Sequence, residues 1–282
     1  MRYVLGLPAT VVLVSLTALA QPVARSGQEQ PPAKFTPAQQ EEFLRTAKVL
    51  ESRSIAEGVT NSTRVTLEKD GFRHSAHFQN IDVAKKEFHS ANYSETNFKD
   101  TYTFNIAGYR LAVLLGIGDM APVSVERRVH GTTGALTWWV DDVLMDEKKR
   151  IATGTQPPDQ ARWNYEMEVV RTFDQLIANT DRNLGNLLID KRWRIWMIDH
   201  TRAFRMQTSL LKPENLSRCD RSMLERMRGL TEEALKQQLT PWVASMERKG
   251  LLARRDLIVR FFDAQIAKTS EAAVLFDRPK RE

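Results

Sequence analysis

Cysteine is nearly absent from this chain of 282 residues: Cys219 stands alone, so no intramolecular disulfide can form, and export is compatible only with a core that folds without covalent staples. Zinc-ligand spacing is missing too, because His74, His77, His89, His130 and His200 fall at separations, or on opposite strand faces, that cannot grip one metal as a rigid set. Charge of a single sign is also lacking. Lys plus Arg number 41 against 35 Asp plus Glu, a net +6, and the arginines are dispersed, which gives no stripe for nucleic acid. No internal repeat is present, and beyond residues 4–19 no stretch long enough to span a membrane is free of charge. That one apolar run follows Arg2 and ends in Ala18-Leu19-Ala20, the small-residue pattern of a signal peptide cleaved before Gln21. The mature chain is therefore expected outside the cytoplasm, periplasmic or extracellular, with no integral membrane span; an uncleaved anchor is the alternative. The chain as a whole, 42% hydrophobic and 27% charged, has a composition ordinary for a soluble globular protein.

Residues 21–35, rich in Gln and Pro, read as a flexible tether. Thr36-Pro37-Ala38-Gln39 combines an N-cap, a proline at the first helical position and a capping-box glutamine, predicting a helix to about Leu50. Alternation then takes over. Val65 and Leu67, the turn at Lys69-Asp70-Gly71, and Phe72, Ala76 and Phe78 predict a hairpin. Spacing by three and four from Phe98 to Leu115 predicts a helix ending at Gly116; a second hairpin is expected from Val123 to Val140 around His130–Gly134. Later residues are mainly helical: a long helix through Tyr165 and Phe173 to about Asn179, a capping box at Ser222 and Glu225, a cap with proline at Thr240-Pro241, and an amphipathic stretch from Leu251 to Ala267. One hairpin, Leu187–Ile189 and Trp193–Ile198, interrupts them. The expected organisation is a leader (1–20), the tether (21–35), an N-terminal helix and connector (36–59), a small antiparallel-sheet lobe (60–145) and a helical lobe (146–282), an α+β architecture.

The chemistry concentrates at the ends of that late hairpin. Asn179-Thr180-Asp181-Arg182-Asn183-Leu184-Gly185-Asn186 enters it and Ile198-Asp199-His200 leaves it, and a two-stranded ribbon returns the chain near its start. Asp181, Asn186 and Asp199 are thereby expected at one edge. The Asn186 amide oxygen and the Asp199 carboxylate are hard ligands suited to Mg²⁺, and Asp181 is placed to orient or deprotonate an acceptor hydroxyl. A purely structural alternative stays open on these residues alone: Asp181 caps a turn, Asn186 satisfies backbone groups, and Asp199 pairs with Arg182 or Arg202.

The segments Phe173–Asn186 and Trp196-Met197-Ile198-Asp199-His200-Thr201-Arg202-Ala203-Phe204 resemble the phosphatidylinositol 3/4-kinase-like, secretory-kinase-like and HipA-like branch of the protein-kinase-like fold, and a group of exported bacterial proteins with the same block. In that family an Asp-Arg-x-x-x-Asn loop carries the catalytic aspartate and a metal-binding asparagine, and an Ile-Asp or Leu-Asp after the next hairpin carries the second metal ligand. The resemblance implies a two-lobed kinase fold over about residues 60–265, with Asp181 catalytic and Asn186 and Asp199 holding Mg²⁺ or Mn²⁺. Phe78-Gln79-Asn80-Ile81-Asp82 resembles the strand that carries an ATP-contacting lysine, but the position is Gln79. Asn105 stands where relatives place its glutamate partner, so the two are expected to hydrogen-bond as a neutral pair. Lys85 is taken as the replacement cation, ahead of Lys69, Lys86 and Arg73, and Trp139 and Val140, at the end of the hinge-like strand, are taken to contact adenine.

The leading expectation is an exported phosphotransferase that moves the γ-phosphoryl of ATP, with Mg²⁺ or Mn²⁺, to a hydroxyl of an unspecified protein, lipid or small molecule. A catalytically silent kinase-like binding module is the alternative, and a metal-dependent phosphoester hydrolase the weaker one.

Overall fold

In the computed structural model, the described residues are 35–55, 62–89, 94–279 and 281. The expected leader and most of the tether lie outside them. Helix α1, Pro37–Thr46, starts on the foreseen capping box: Thr36 N–H donates to Gln39 Oε1 (2.8 Å) and Gln39 N–H to Thr36 Oγ1 (3.3 Å). It stops short of Leu50. The Arg127 guanidinium donates to the carbonyls of Leu44 and Ala47, both at 2.6 Å, and so terminates the helix. The chain beyond becomes strand β1, Lys48–Ser54, antiparallel to β2, Thr63–Lys69.

Strands β2 and β3, Phe72–Gln79, form the expected hairpin, with Asp70 (φ 52°) and Gly71 (φ 80°) making the two-residue turn. An unforeseen hairpin follows: β4, Asp82–His89, and β5, Ser94–Thr101. Helix α2 accordingly spans Thr103–Leu114 rather than starting at Phe98, and Val113, which a spacing by three and four counted from Phe98 would place on the apolar face, is 48% exposed. The misleading element was Phe98, which belongs to the strand and stacks on Phe88 with centroids 4.3 Å apart. Strands β6, Ser124–Val129, and β7, Thr132–Trp138, turn tightly at His130-Gly131, so the second strand starts earlier than expected. One sheet results, in the order β1-β2-β3-β7-β6, with α2 packed against β6 and β7.

The second half is built on helices α3 (Glu147–Thr153), α4 (Gln160–Ile177), α5 (Arg221–Arg228), α6 (Glu232–Leu239), α7 (Ser245–Lys268) and α8 (Glu271–Val274). The foreseen hairpin, β9 (Leu187–Asp190) and β10 (Ile195–Met197), gains a third strand, β8 (Val143–Asp146). A short parallel pair, β11 (Cys219–Asp220) and β12 (Leu275–Phe276), closes the chain onto α4. Two cap expectations are corrected. Asp220, not Ser222, caps α5 by accepting from Met223 N–H at 2.8 Å. Thr240-Pro241 follows the end of α6, and α7 starts after Ala244, whose N–H donates to Glu247 (2.6 Å).

Arg254 on α7 is wholly buried and donates to the carbonyls of Leu176 and Arg205, both at 2.8 Å. It thereby ties the end of α4 to the segment that follows β10. Residues Phe35–Glu282 make one compact unit, an antiparallel sheet with its helix joined to a helical portion, the α+β architecture expected. No helix among the described residues is long and apolar enough to cross a membrane.

Candidate active site

A cleft of about 1020 Å³ opens between the strand-rich and helix-rich halves of this unit, large enough for a nucleotide-sized ligand. Asp181, Asn186 and Asp199 line it together with Gln79, Asn105, Trp139 and Val140. The loop after α4 is built by short-range hydrogen bonds. Ala178 ends the helix in the left-handed region (φ 47°), and Asn179 Oδ1 accepts from Asp181 N–H at 3.1 Å. Arg182 turns away from the cleft, pairing with Asp174 at 2.9 Å and donating to the carbonyls of Asn186 (3.0 Å) and Ile198 (2.6 Å). Ile198 N–H also donates to Asn186 O (3.1 Å), so the backbone of one expected metal ligand is bonded to the residue just before the other. That is the edge convergence read from the hairpin.

Asp199 has φ 54°, a conformation that short polar side chains tolerate better than most, and its Oδ1 accepts from Thr201 Oγ1 at 3.1 Å. Burial pushes its carboxyl above the ordinary range; Thr201 opposes that shift, and the Asp100 charge adds to it. Asp181 is also pushed up, first by burial, with Arg202 opposing and Asp199 and Asp100 reinforcing. Asp100 is buried and joins the cleft from β5, and among the described residues its Oδ1 has no hydrogen-bond partner. Carboxylates whose ionised forms are disfavoured by burial and by one another are what a divalent cation would relieve. Among the described residues no three acids, histidines or cysteines converge as a ready metal cage. The donor set fits an ion that takes one carboxylate and one amide oxygen from the protein and the rest from phosphates and water, as Mg²⁺ does.

The expected neutral pair is in place. Asn105 Nδ2 donates to Gln79 Oε1 at 2.7 Å, and Asn105 Oδ1 accepts from His200 N–H at 2.7 Å, linking β3, α2 and the residue after Asp199. Burial holds His200 neutral. Gly108 permits the close approach of α2, since a Cβ there would stand 3.0 Å from His200 Cγ. Trp139 N–H donates to Ser75 O (3.2 Å), and Arg64 lies 4.3 Å above the Trp139 ring.

Lys85 is not brought to the cleft. Pairing of β4 with β5 carries it to an exposed position opposite Phe98, its ammonium 5.4 Å from the Phe88 ring centroid. Lys69 is bound to Thr46 (2.8 Å) and Glu42 (3.2 Å). The cleft cations among the described residues are instead Lys148 and Arg202. Arg202 reaches Asp100 at 2.8 Å and Asp181 at 3.7 Å. Asp100, His77 and Lys148 were not legible as site residues: Asp100 sits in a polar stretch whose strand carries little apolar alternation.

His77 carries a pH signature. Burial lowers its pKa from 6.5 to about 4, so the unfolded chain binds the extra proton between those values. The stability this neutral imidazole contributes is present above pH 6.5 and lost as pH falls toward 4. We expect the thermal midpoint to drop over that interval and the slope to flatten in His77→Gln, measured by calorimetric scans from pH 7 to 4.

No protein-family model matches the chain. A stretch of 113 residues, 39% of the chain, is 26% identical to the 3-deoxy-D-manno-octulosonic acid kinase of Photobacterium profundum, and the match spans 47% of that protein, about half its length. Among solved structures, the hydra Fam20 protein with sugar superposes with a TM-score of 0.64 at 15% identity, covering 84% of this chain and 90% of that one. The Golgi casein kinase with Mn/ADP bound gives 0.60 at 14% identity, covering 87% and 80%. The chain has the protein-kinase-like fold.

Proposed function

We propose that the protein is an exported kinase that transfers the γ-phosphoryl group of ATP to a hydroxyl, with Asp181 as the catalytic carboxylate and Asn186 and Asp199 as metal ligands. The observation that carries this reading is the convergence of those three residues in one cleft that Trp139 and Val140 also line. A bound divalent cation would neutralise phosphate charge at Asn186 and Asp199. Asp181 takes the proton of the acceptor hydroxyl as its oxygen bonds to the γ-phosphorus; the bond from that phosphorus to the bridging oxygen breaks, and ADP leaves. Gln79 and Asn105 shape the wall as a neutral pair, and Lys85 has no part in nucleotide binding.

A carbohydrate hydroxyl is the acceptor best supported, because the curated relative is a sugar-acid kinase and one fold neighbour was solved with a sugar. Export rests on the leader at residues 1–20. The neutral Gln79–Asn105 pair favours a second reading, a nucleotide-binding module without turnover. Purified protein incubated with ATP and Mn²⁺ or Mg²⁺ separates the two. Metal-dependent binding by calorimetry with ADP release or a phosphorylated species by mass spectrometry supports the kinase; binding without turnover supports the module; no binding with either ion overturns both.

A further inference from the structure

A nucleotide triphosphate brings four negative charges into a cleft already lined by Asp100, Asp146, Asp181 and Asp199. The strand position where the sequence resemblance places a lysine holds Gln79, bonded to a neutral asparagine. Protein cations must then come from elsewhere, and the geometry distinguishes the two that line the cleft among the described residues. Lys148 sits on the first turn of α3, next to β8. Arg202 lies beside Asp181, its Nη1 3.7 Å from Asp181 Oδ1, where the acceptor hydroxyl would meet the phosphorus. Its backbone is fixed there as well, since Arg202 O accepts from Thr180 N–H (3.2 Å) and Thr180 Oγ1 (3.1 Å), immediately before Asp181.

Asp100 makes this guanidinium a fixed group. Its Oδ2 accepts from Arg202 Nε at 2.8 Å, and the acid is 4% exposed, so it is buried against its cation rather than hydrated. The Phe98 ring, 5.5 Å from Arg202 Cζ, adds a second, weaker restraint. A guanidinium held through Nε is a planar fork whose shape suits phosphate oxygens, as a flexible ammonium's does not.

Resting on the kinase reading above, we propose that Arg202, oriented by Asp100, binds the terminal phosphate of ATP and supplies the positive charge that Gln79 cannot. Arg202 is then the residue that distinguishes ATP from ADP, and Asp100 is its positioning residue. The ion pair missing from β3 and α2 is relocated to β5 and the segment after Asp199.

The test is calorimetry of the full mature protein with Mn²⁺ and either ADP or a non-hydrolysable ATP analogue. Arg202→Gln is expected to weaken the triphosphate by roughly 10- to 100-fold, the loss of one charge-assisted contact, and ADP by no more than about twofold. Arg202→Lys should recover part of the loss, and Asp100→Asn should weaken the triphosphate less than Arg202→Gln. Should Arg202→Gln unfold because Asp100 is left buried alone, the double variant Asp100→Asn with Arg202→Gln restores a neutral pair and must show the same selective loss. Equal effects on both nucleotides, no effect on either, or a selective loss in Lys148→Gln instead overturns the assignment while leaving the kinase reading standing. Absence of nucleotide binding in the unmutated protein defeats the kinase reading and this inference with it.

Discussion

Asp181→Ala is expected to lower phosphoryl turnover by about 10²- to 10⁴-fold while changing metal-dependent ATP affinity by no more than about threefold. The separation follows from what holds the loop. Asn179 Oδ1 fixes the Asp181 backbone, and Arg182 fixes the rest by donating to Asn186 and Ile198 and pairing with Asp174, so removing the Asp181 side chain leaves the framework in place. In the proposed mechanism the lost group acts on the acceptor proton, which matters in the transition state rather than in nucleotide binding. Arg202 stays bound to Asp100 in the variant, so its orientation survives. Calorimetry with ATP and Mn²⁺, beside an ADP-release assay on the same preparation, checks both halves. Unchanged turnover would transfer the acceptor role to another residue, and a parallel loss of binding would mean that Asp181 holds the metal.

The central block of the site was legible because its geometry is local. Asp181, Asn186 and Asp199 lie within nineteen residues, and a hairpin with an apolar return strand brings its ends together wherever the rest of the chain goes. The Gln79–Asn105 pair was legible through the sequence resemblance, and its 2.7 Å hydrogen bond shows two neutral side chains in a place where one charge alone would have been stranded. Asp100 was hidden for the opposite reason. Strand β5 is mostly exposed, with Phe98, Asp100 and Thr101 as its buried positions, so the alternation that marks a strand is too weak to compete with the helical spacing running on from Phe98. The contacts that define its role, with Arg202 and between Lys99 O and Arg205 (2.6 Å), cross more than a hundred residues. Lys85 was misplaced by the same omission: once residues 82–89 pair with β5, the segment leaves the cleft instead of following it. The end of α1 was misjudged because its cap, Arg127, comes from a strand some eighty residues away.

Asp199→Asn is expected to weaken metal-dependent nucleotide binding at least about tenfold more than Asn186→Ala, because in the proposed site it takes a full negative charge from the ion's ligands, whereas the other change takes away a neutral oxygen. Asparagine is the informative replacement. It tolerates the φ of 54° that alanine would resist and can still accept from Thr201 Oγ1, so a loss of binding is not a loss of backbone geometry. Stability without metal should move the other way. Burial raises the folded pKa of Asp199 above its unfolded value, so the stability associated with the protonated group is present below the ordinary carboxylate range and is lost as pH rises through the raised value. Above the unfolded value the buried Asp199 therefore costs the folded protein stability without metal, the Asp100 charge adds to that cost, and a neutral amide removes it. The variant should melt at the same temperature as the unmutated protein or higher without metal, and gain less when Mn²⁺ and ATP are added. Thermal scans with and without both ligands measure the two shifts together. A variant that melts lower without metal yet keeps its full gain from Mn²⁺ and ATP would assign Asp199 to the framework and remove it from the metal site.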